Sequence, residues 1–170
     1  MSVGKLRRPD RAMSEQDSSA LLRRALVGRI GTVDAEGTPY VVPLNFVYEH
    51  EGRRIHVHRG RQPGHLASNL GFSSNVCFEV DEPGPLVATG DAGCDTGQVY
   101  ESVVCFGRAS TVSDERERER IARLFLRKYI DENMPGRSYE PRLVWLGAVE
   151  FVTIQIGVLT GKRCPAPGNG

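Results

Sequence analysis

The sequence predicts a mainly β domain, an antiparallel barrel of six strands with one or two covering helices. Three observations lead there. Six apolar, β-branched stretches follow one another, bounded by turns rich in glycine, proline and acidic residues. Most are neighbours along the chain and no helix alternates with strand, which argues against a doubly wound parallel sheet. One strong helical pattern falls late, at about residues 114–129. Six antiparallel strands remove their exposed edges by closing on themselves.

The elements follow in order. Residues 1–13 are polar and basic, contain Pro9 and lack periodicity, so a flexible N-terminal arm is expected. Ser14 has the place of a helix N-cap, with Asp17 three residues on. Leu21, Leu22, Ala25 and Leu26 share a face, and the helix is expected to end at Gly28. "RIGTVDAEGTPYVVPLNFVYEHEGRRIHVHR" reads as three strands joined by turns at "AEG" (35–37) and "EHEG" (49–52). Pro43 lies inside the second of these. Its missing N–H requires an edge, a bulge or a barrel opening. Residues 63–71 suit one or two helical turns, with Leu66 and Leu70 on one face. "NVCFEVDE" (75–82) is a fourth strand. The glycine-rich, aperiodic segment 83–98, "PGPLVATGDAGCDTGQ", is expected to be a long functional or mobile loop. "VYESVVCFGRASTV" (99–112) is the fifth strand. Ser113-Asp114-Glu115 caps the late helix, whose buried stripe is Ile121, Leu124, Phe125 and Tyr129. Pro135 and Gly136 end it. "LVWLGAVEFVTIQIGVLTGKR" supplies the sixth strand, bent at Gly147. The folded domain is therefore expected over 14–163, with a tail at 164–170.

Composition narrows the function. A net charge of +1, 39% hydrophobic and 25% charged residues are ordinary for a globular chain. No broad basic surface for nucleic acid follows from these numbers, and no apolar run is long enough for a membrane helix. The four cysteines, Cys77, Cys94, Cys105 and Cys164, form neither a metal-binding nor a disulfide pattern, which points to a reduced, cytoplasmic protein.

Chemistry concentrates in "HVHRGRQPGHL" (56–66), which holds three of the four histidines. His56, His58 and His65 raise a metal site, but H-x-H is a weak signal and no carboxylate ligand lies nearby in sequence. A single phosphate fits better. Arginine, histidine and the amides of a helix start suffice to bind it, and Pro63-Gly64-His65 opens a short helix. "GVLTGKR" is one residue short of a P-loop, has no Ser or Thr after Lys162, and ends a strand. No nucleophile motif appears, so an enzymatic role would rest on a bound cofactor.

Five ordered blocks, "RIGTVDAEGTPYVVPLNFVYE", "IHVHRGRQPGHLASNL", "NVCFEVDE", "YESVVCFGRA" and "LTGKR", resemble the pyridoxamine 5'-phosphate oxidase-like proteins. Within that family they are similar to the nitroimidazole-resistance (NimA-like) flavin-binding branch. The resemblance implies a six-stranded split β-barrel and a homodimer with FMN at the subunit interface. It places the flavin ring along Val42, Pro43, Leu44, Asn45 and Phe46, and the phosphate at His58, Arg59, Arg61 and His65. It also turns Ser102 toward the flavin. Where the branch commonly reads G-H-K, this chain has Gly64-His65-Leu66, so Arg59 or Arg61 takes the lysine's place. "RCPAPGNG" does not match the substrate-binding tail of true pyridoxamine phosphate oxidases, and vitamin B6 oxidation is not expected. The implied function is an FMN-dependent oxidoreductase of a small electron-poor, nitroaromatic-like substrate, with a nicotinamide as one candidate electron donor. The alternatives are a flavin-binding protein without turnover, or the same barrel holding haem or a deazaflavin.

Overall fold

The computed structural model describes residues 6–88, 90, 96–134, 136 and 147–164. Helix α1 spans Glu15–Arg24, strand β1 Val27–Val33, β2 Pro39–Glu49, β3 Arg54–Gly60, helix α2 His65–Phe72, β4 Asn75–Ala88, β5 Thr96–Thr111, helix α3 Glu115–Leu126 and β6 Val149–Cys164. The strands form one closed antiparallel barrel in the order β1-β2-β3-β6-β5-β4. This is the mainly β barrel that the strand pattern predicted.

Local chemistry explains most boundaries. The Ser14 hydroxyl accepts the Asp17 N–H at 3.0 Å, the capping bond expected of the sequence. Asp114 caps α3 in the same way, accepting the Glu117 N–H at 2.8 Å. In the β1–β2 hairpin the Asp34 carboxylate accepts the N–H groups of Glu36 (3.0 Å) and Thr38 (2.7 Å). Alternation then sorts the side chains. Ile30, Phe46, Ile55, Val57, Phe78, Val80, Val103, Cys105 and Ile154 fill the barrel, joined by Leu21 and Leu22 of α1. A second cluster lies outside the barrel wall, where Ile121, Ala122 and Phe125 of α3 cover Val47 and Phe151.

Two expectations are corrected, and one feature was not anticipated. Helix α1 stops at Arg24 instead of reaching Gly28, because Ala25 is already extended and Gly28 belongs to β1. A Cβ at Gly28 would lie 2.2 Å from the buried Phe78 ring, so glycine there serves strand packing. The segment 83–98 is largely not a loop. Leu86, Val87 and Ala88 pair with Gln98, Gly97 and Thr96, after a register shift beyond Pro83. Its prolines sit at that irregularity, and Gly97 pairs with Val87 through backbone groups that need no side chain. The tip, including Cys94, lies outside the described residues. Finally, α3 runs on into a π-helical turn, Arg127–Asp131, that no periodicity announced. In the N-terminal arm, Ala12 bridges to Lys162, and Met13 is buried with its N–H on the Gly161 carbonyl. Residues 1–5 and 165–170 lie outside the described residues, as do 143–146 of the predicted sixth strand. Among the described residues no helix is long and apolar enough to cross a membrane.

Candidate functional site

The barrel is split on one side. Strand β2 pairs with β1 from Pro39 to Asn45, but with β3 only from Phe46 to Glu49. Beyond Val57, β3 pairs only with β6, through Arg59↔Glu150 and Gly60↔Val149. Among the described residues, the β3-facing edge of β2 from Pro39 to Asn45 thus has no strand partner. Phe46 marks the fork. Its N–H donates to the Tyr129 hydroxyl (2.8 Å) and its carbonyl accepts from the Lys128 ammonium (3.1 Å), both on the β1 side. Peptide groups alternate along an antiparallel strand. Those of Asn45, Pro43 and Val41 therefore point the other way, into the open side. Pro43 sits where an N–H would have had no ladder partner, which agrees with the sequence argument for a barrel opening. The side chains of Val41, Pro43 and Asn45 are exposed on the outer face, while Val42 and Leu44 pack against the core.

The connection from β3 to α2 borders this opening. Gly64 is the N-cap of α2 and offers no side chain to its first amides, so those at His65, Leu66 and Ala67 lack an intrahelical partner. Space is open where a Cβ would stand at Gly60 and Gly64. Arg61 is exposed, with its Nε 3.4 Å from the Val149 carbonyl. The exposed His65 ring lies 5.5 Å from that of Tyr40 on β2, which ties the turn to the open edge. Asn69 fixes α2 there by donating to the Thr32 hydroxyl of β1 at 3.0 Å. Arg59 is committed locally. It pairs with Glu150 and donates to the Gly60 (2.9 Å) and Gln62 (3.5 Å) carbonyls, stapling the turn.

The expected site residues therefore divide. The backbone of Val42 to Asn45, with Arg59, Arg61 and His65, frames one opening. His58 is turned away from it and faces the second core, with its ring 5.0 Å from Phe125 and 6.3 Å from Phe151. The reason is alternation: Ile55 and Val57 fill the barrel, which sends His56 and His58 outward under α3. Burial pushes the His58 pKa down. His56 is fully buried on the same face, between the Thr153 hydroxyl (2.9 Å) and the Glu49 carboxylate. Arg120 grips Glu49 with two bonds of 2.8 Å. Arg120 first, then His56, hold the Glu49 carboxyl down at about 2. Phe46 faces the opening with neither part: its ring is buried 5.0 Å from that of Phe78, and its N–H and carbonyl are held by Tyr129 and Lys128 on the β1 side. Ser102 lies on the outer face of β5, opposite to Val103 and Cys105, and donates to the Lys162 carbonyl at 3.4 Å. Among the described residues no group of three potential ligands stands close enough to hold a metal. Tyr40, Lys128 and Tyr129 escaped the sequence reading. Only Tyr129 had a signal, and that signal marked it as core.

A family model described as pyridoxamine 5'-phosphate oxidase matches residues 14–163. The chain belongs to that family. No curated protein matches it. Three solved structures illustrate the fold of the family at this chain's distance. A candidate 5-nitroimidazole antibiotic resistance protein from Bacteroides thetaiotaomicron superposes with a TM-score of 0.73 at 24% identity, over 89% of this chain and 86% of that one. The flavocytochrome Anf3 from Azotobacter vinelandii gives 0.77 at 23% identity, over 96% and 73%. A FAD-binding protein from Mesorhizobium loti gives 0.65 at 24% identity, over 91% and 98%. They share the split-barrel fold implied by the sequence blocks.

Proposed function

We propose that this family member is a cytoplasmic flavoprotein that binds FMN in the opening between β2 and the β3–α2 turn, and acts as an oxidoreductase on a small electron-poor substrate of the nitroaromatic class. One observation carries the reading: an unpaired strand edge lies beside uncapped helix amides. The carbonyls of Val41, Pro43 and Asn45 and the N–H groups of Val41 and Asn45 offer both donors and acceptors to the polar edge of a flavin ring. The first amides of α2, with Arg61 and His65, suit its phosphate. Arg59 shapes the turn and can share its guanidinium between Glu150 and a phosphate.

When bound, the flavin supplies redox chemistry that the side chains lack. Burial pushes the Cys105 thiol up to about 12 and raises Cys77 as well, so neither offers a ready thiolate. The chain's own task is to bind, orient and shield the cofactor, with a nicotinamide as the class of electron donor. FAD is the second reading, favoured because structural neighbours from Mesorhizobium loti and Mycobacterium smegmatis are FAD-binding proteins.

A second copy of the chain completes the proposal. Val41, Gly31, Cys77, Phe106 and Val158 are successive register partners on the outer face of five strands. Val41 is 62% and Val158 37% exposed. Such an apolar row suits a two-fold dimer. It also accounts for Ser102, which would reach the cofactor only from the second copy. The test is the absorbance of the purified protein, followed by identification of the released cofactor. A flavin spectrum with FMN released is expected, and oxidation of reduced nicotinamide should then depend on a nitroaromatic acceptor. A colourless protein that neither FMN nor FAD reconstitutes, or one with a Soret band alone, would contradict the proposal.

A further inference from the structure

Lys128 is a buried lysine, with 6% of its surface exposed, and has no ion-pair partner among the described residues. Its ammonium donates to the carbonyls of Ala25 (2.6 Å) and Phe46 (3.1 Å) and lies 4.0 Å from the centre of the Phe46 ring. The next residue acts on the same seam. The Tyr129 hydroxyl accepts the Phe46 N–H at 2.8 Å and donates to the Leu26 carbonyl at 2.5 Å. Both belong to the π-helical turn, a geometry that recurs at functional positions.

Burying an ammonium with no carboxylate in ion-pair contact is costly, and a residue needed only to fill space would be apolar. The hydrogen bonds explain the choice. Register places Leu26 opposite Phe46 immediately after the last β1–β2 pair, Val27↔Asn45. The ladder stops there, and the two side chains take the backbone groups it leaves. Phe46 is also the first residue of β2 that pairs with β3. The seam therefore holds the peptide groups at the fork of the split barrel, one residue from Asn45.

We propose that Lys128, together with Tyr129, is a positioning residue for the cofactor edge. The pair clamps Phe46 where β2 leaves β3, and so fixes the direction in which Asn45, Pro43 and Val41 present their free peptide groups. The ligand part of this inference rests on the flavin reading, whereas the clamp is a property of the chain alone.

Amide hydrogen exchange on the flavin-free full chain, compared with Lys128→Met and Tyr129→Phe, tests the clamp. FMN titration of the same three proteins tests its consequence. Exchange at Phe46, whose N–H the Tyr129 hydroxyl accepts, should accelerate by about tenfold, as expected when about one hydrogen bond's worth of free energy is removed. Exchange at Val103 and Cys105 should not change. The FMN dissociation constant should rise by about tenfold in both variants. Unchanged exchange at Phe46 would overturn the clamp, and so would equal acceleration at Val103, which would make the role purely structural. Accelerated exchange with unaltered FMN affinity would overturn positioning. A wild-type chain that binds no flavin would defeat the functional reading, and the exchange comparison would still decide the clamp. Tyr129→Phe removes a single hydroxyl, so it decides the matter if Lys128→Met fails to fold.

Discussion

At Arg59 and Arg61 two guanidiniums two positions apart do different work. Arg59 is tied to Glu150 and to two carbonyls of its own turn, whereas Arg61 is exposed with one long contact. Arg61→Ala and His65→Ala should therefore weaken FMN binding by about 1–3 kcal/mol at unchanged melting temperature. Arg59→Ala should lower both affinity and melting temperature. Calorimetric titration with thermal melts checks this, and unaltered affinity in both Arg61→Ala and His65→Ala would move the phosphate elsewhere. Two titrating groups give a pH signature. Glu49 has a folded pKa of about 2, below its ordinary 4.5. Its contribution to stability is present above pH 4.5 and is lost as pH falls toward 2. In urea melts Glu49→Gln should remove that part of the acid slope. Lys128 is the opposite case. Burial lowers its pKa from 10.5 to about 8, opposed by Glu132, whereas burial shifts the Tyr129 phenol beside it upward. The unfolded chain then binds more protons between pH 8 and 10.5, so stability should rise over that window and the rise should vanish in Lys128→Met.

Among the elements, β5 shows how tightly the sheet is built. The register between β5 and β6 shifts at Phe106/Gly107, and a Cβ on Gly107 would lie 2.3 Å from the Gln155 carbonyl oxygen. Because backbone blocks the way, Gly107→Ala should destabilise the chain by at least about 1–3 kcal/mol, measured as a lower urea midpoint at constant slope. The strands were legible in the sequence because alternation is written in side chains: Ile30, Phe46, Val57 and Phe78 each fall inward as their spacing requires. Pro43 announced the split for the same kind of reason, through a missing donor. The extension of β4 and β5 past Pro83 was hidden, since its pairing uses the main chain of glycine-rich segments. The end of α1 was misplaced because the carbonyls of Ala25 and Leu26, just beyond the helix, are taken by Lys128 and Tyr129, about a hundred residues away. No local pattern records such a contact. The phosphate turn could be read from residue types, but not which of its members face it: His58 looked equivalent to Arg59 and lies on the other face of β3.

For the molecule as a whole, the barrel joins an open edge to an apolar outer face. Val41 belongs to both, at the border of the opening and in the row that ends at Val158. If that row is buried between two copies, a charge within it should separate them. Val41→Asp and Phe106→Asp are predicted to sediment as monomers, while the native chain sediments as a dimer; a native monomer would remove the second copy from the site. The most direct measurement is an FMN titration followed by the backbone amide resonances. Saturable shifts should be largest at Val41, Asn45, His65, Leu66 and Ala67, with little change at Leu21 and Leu22 in helix α1. Saturable binding that leaves those five amides unmoved, or no binding at all, would contradict a flavin held between the free edge of β2 and the start of α2.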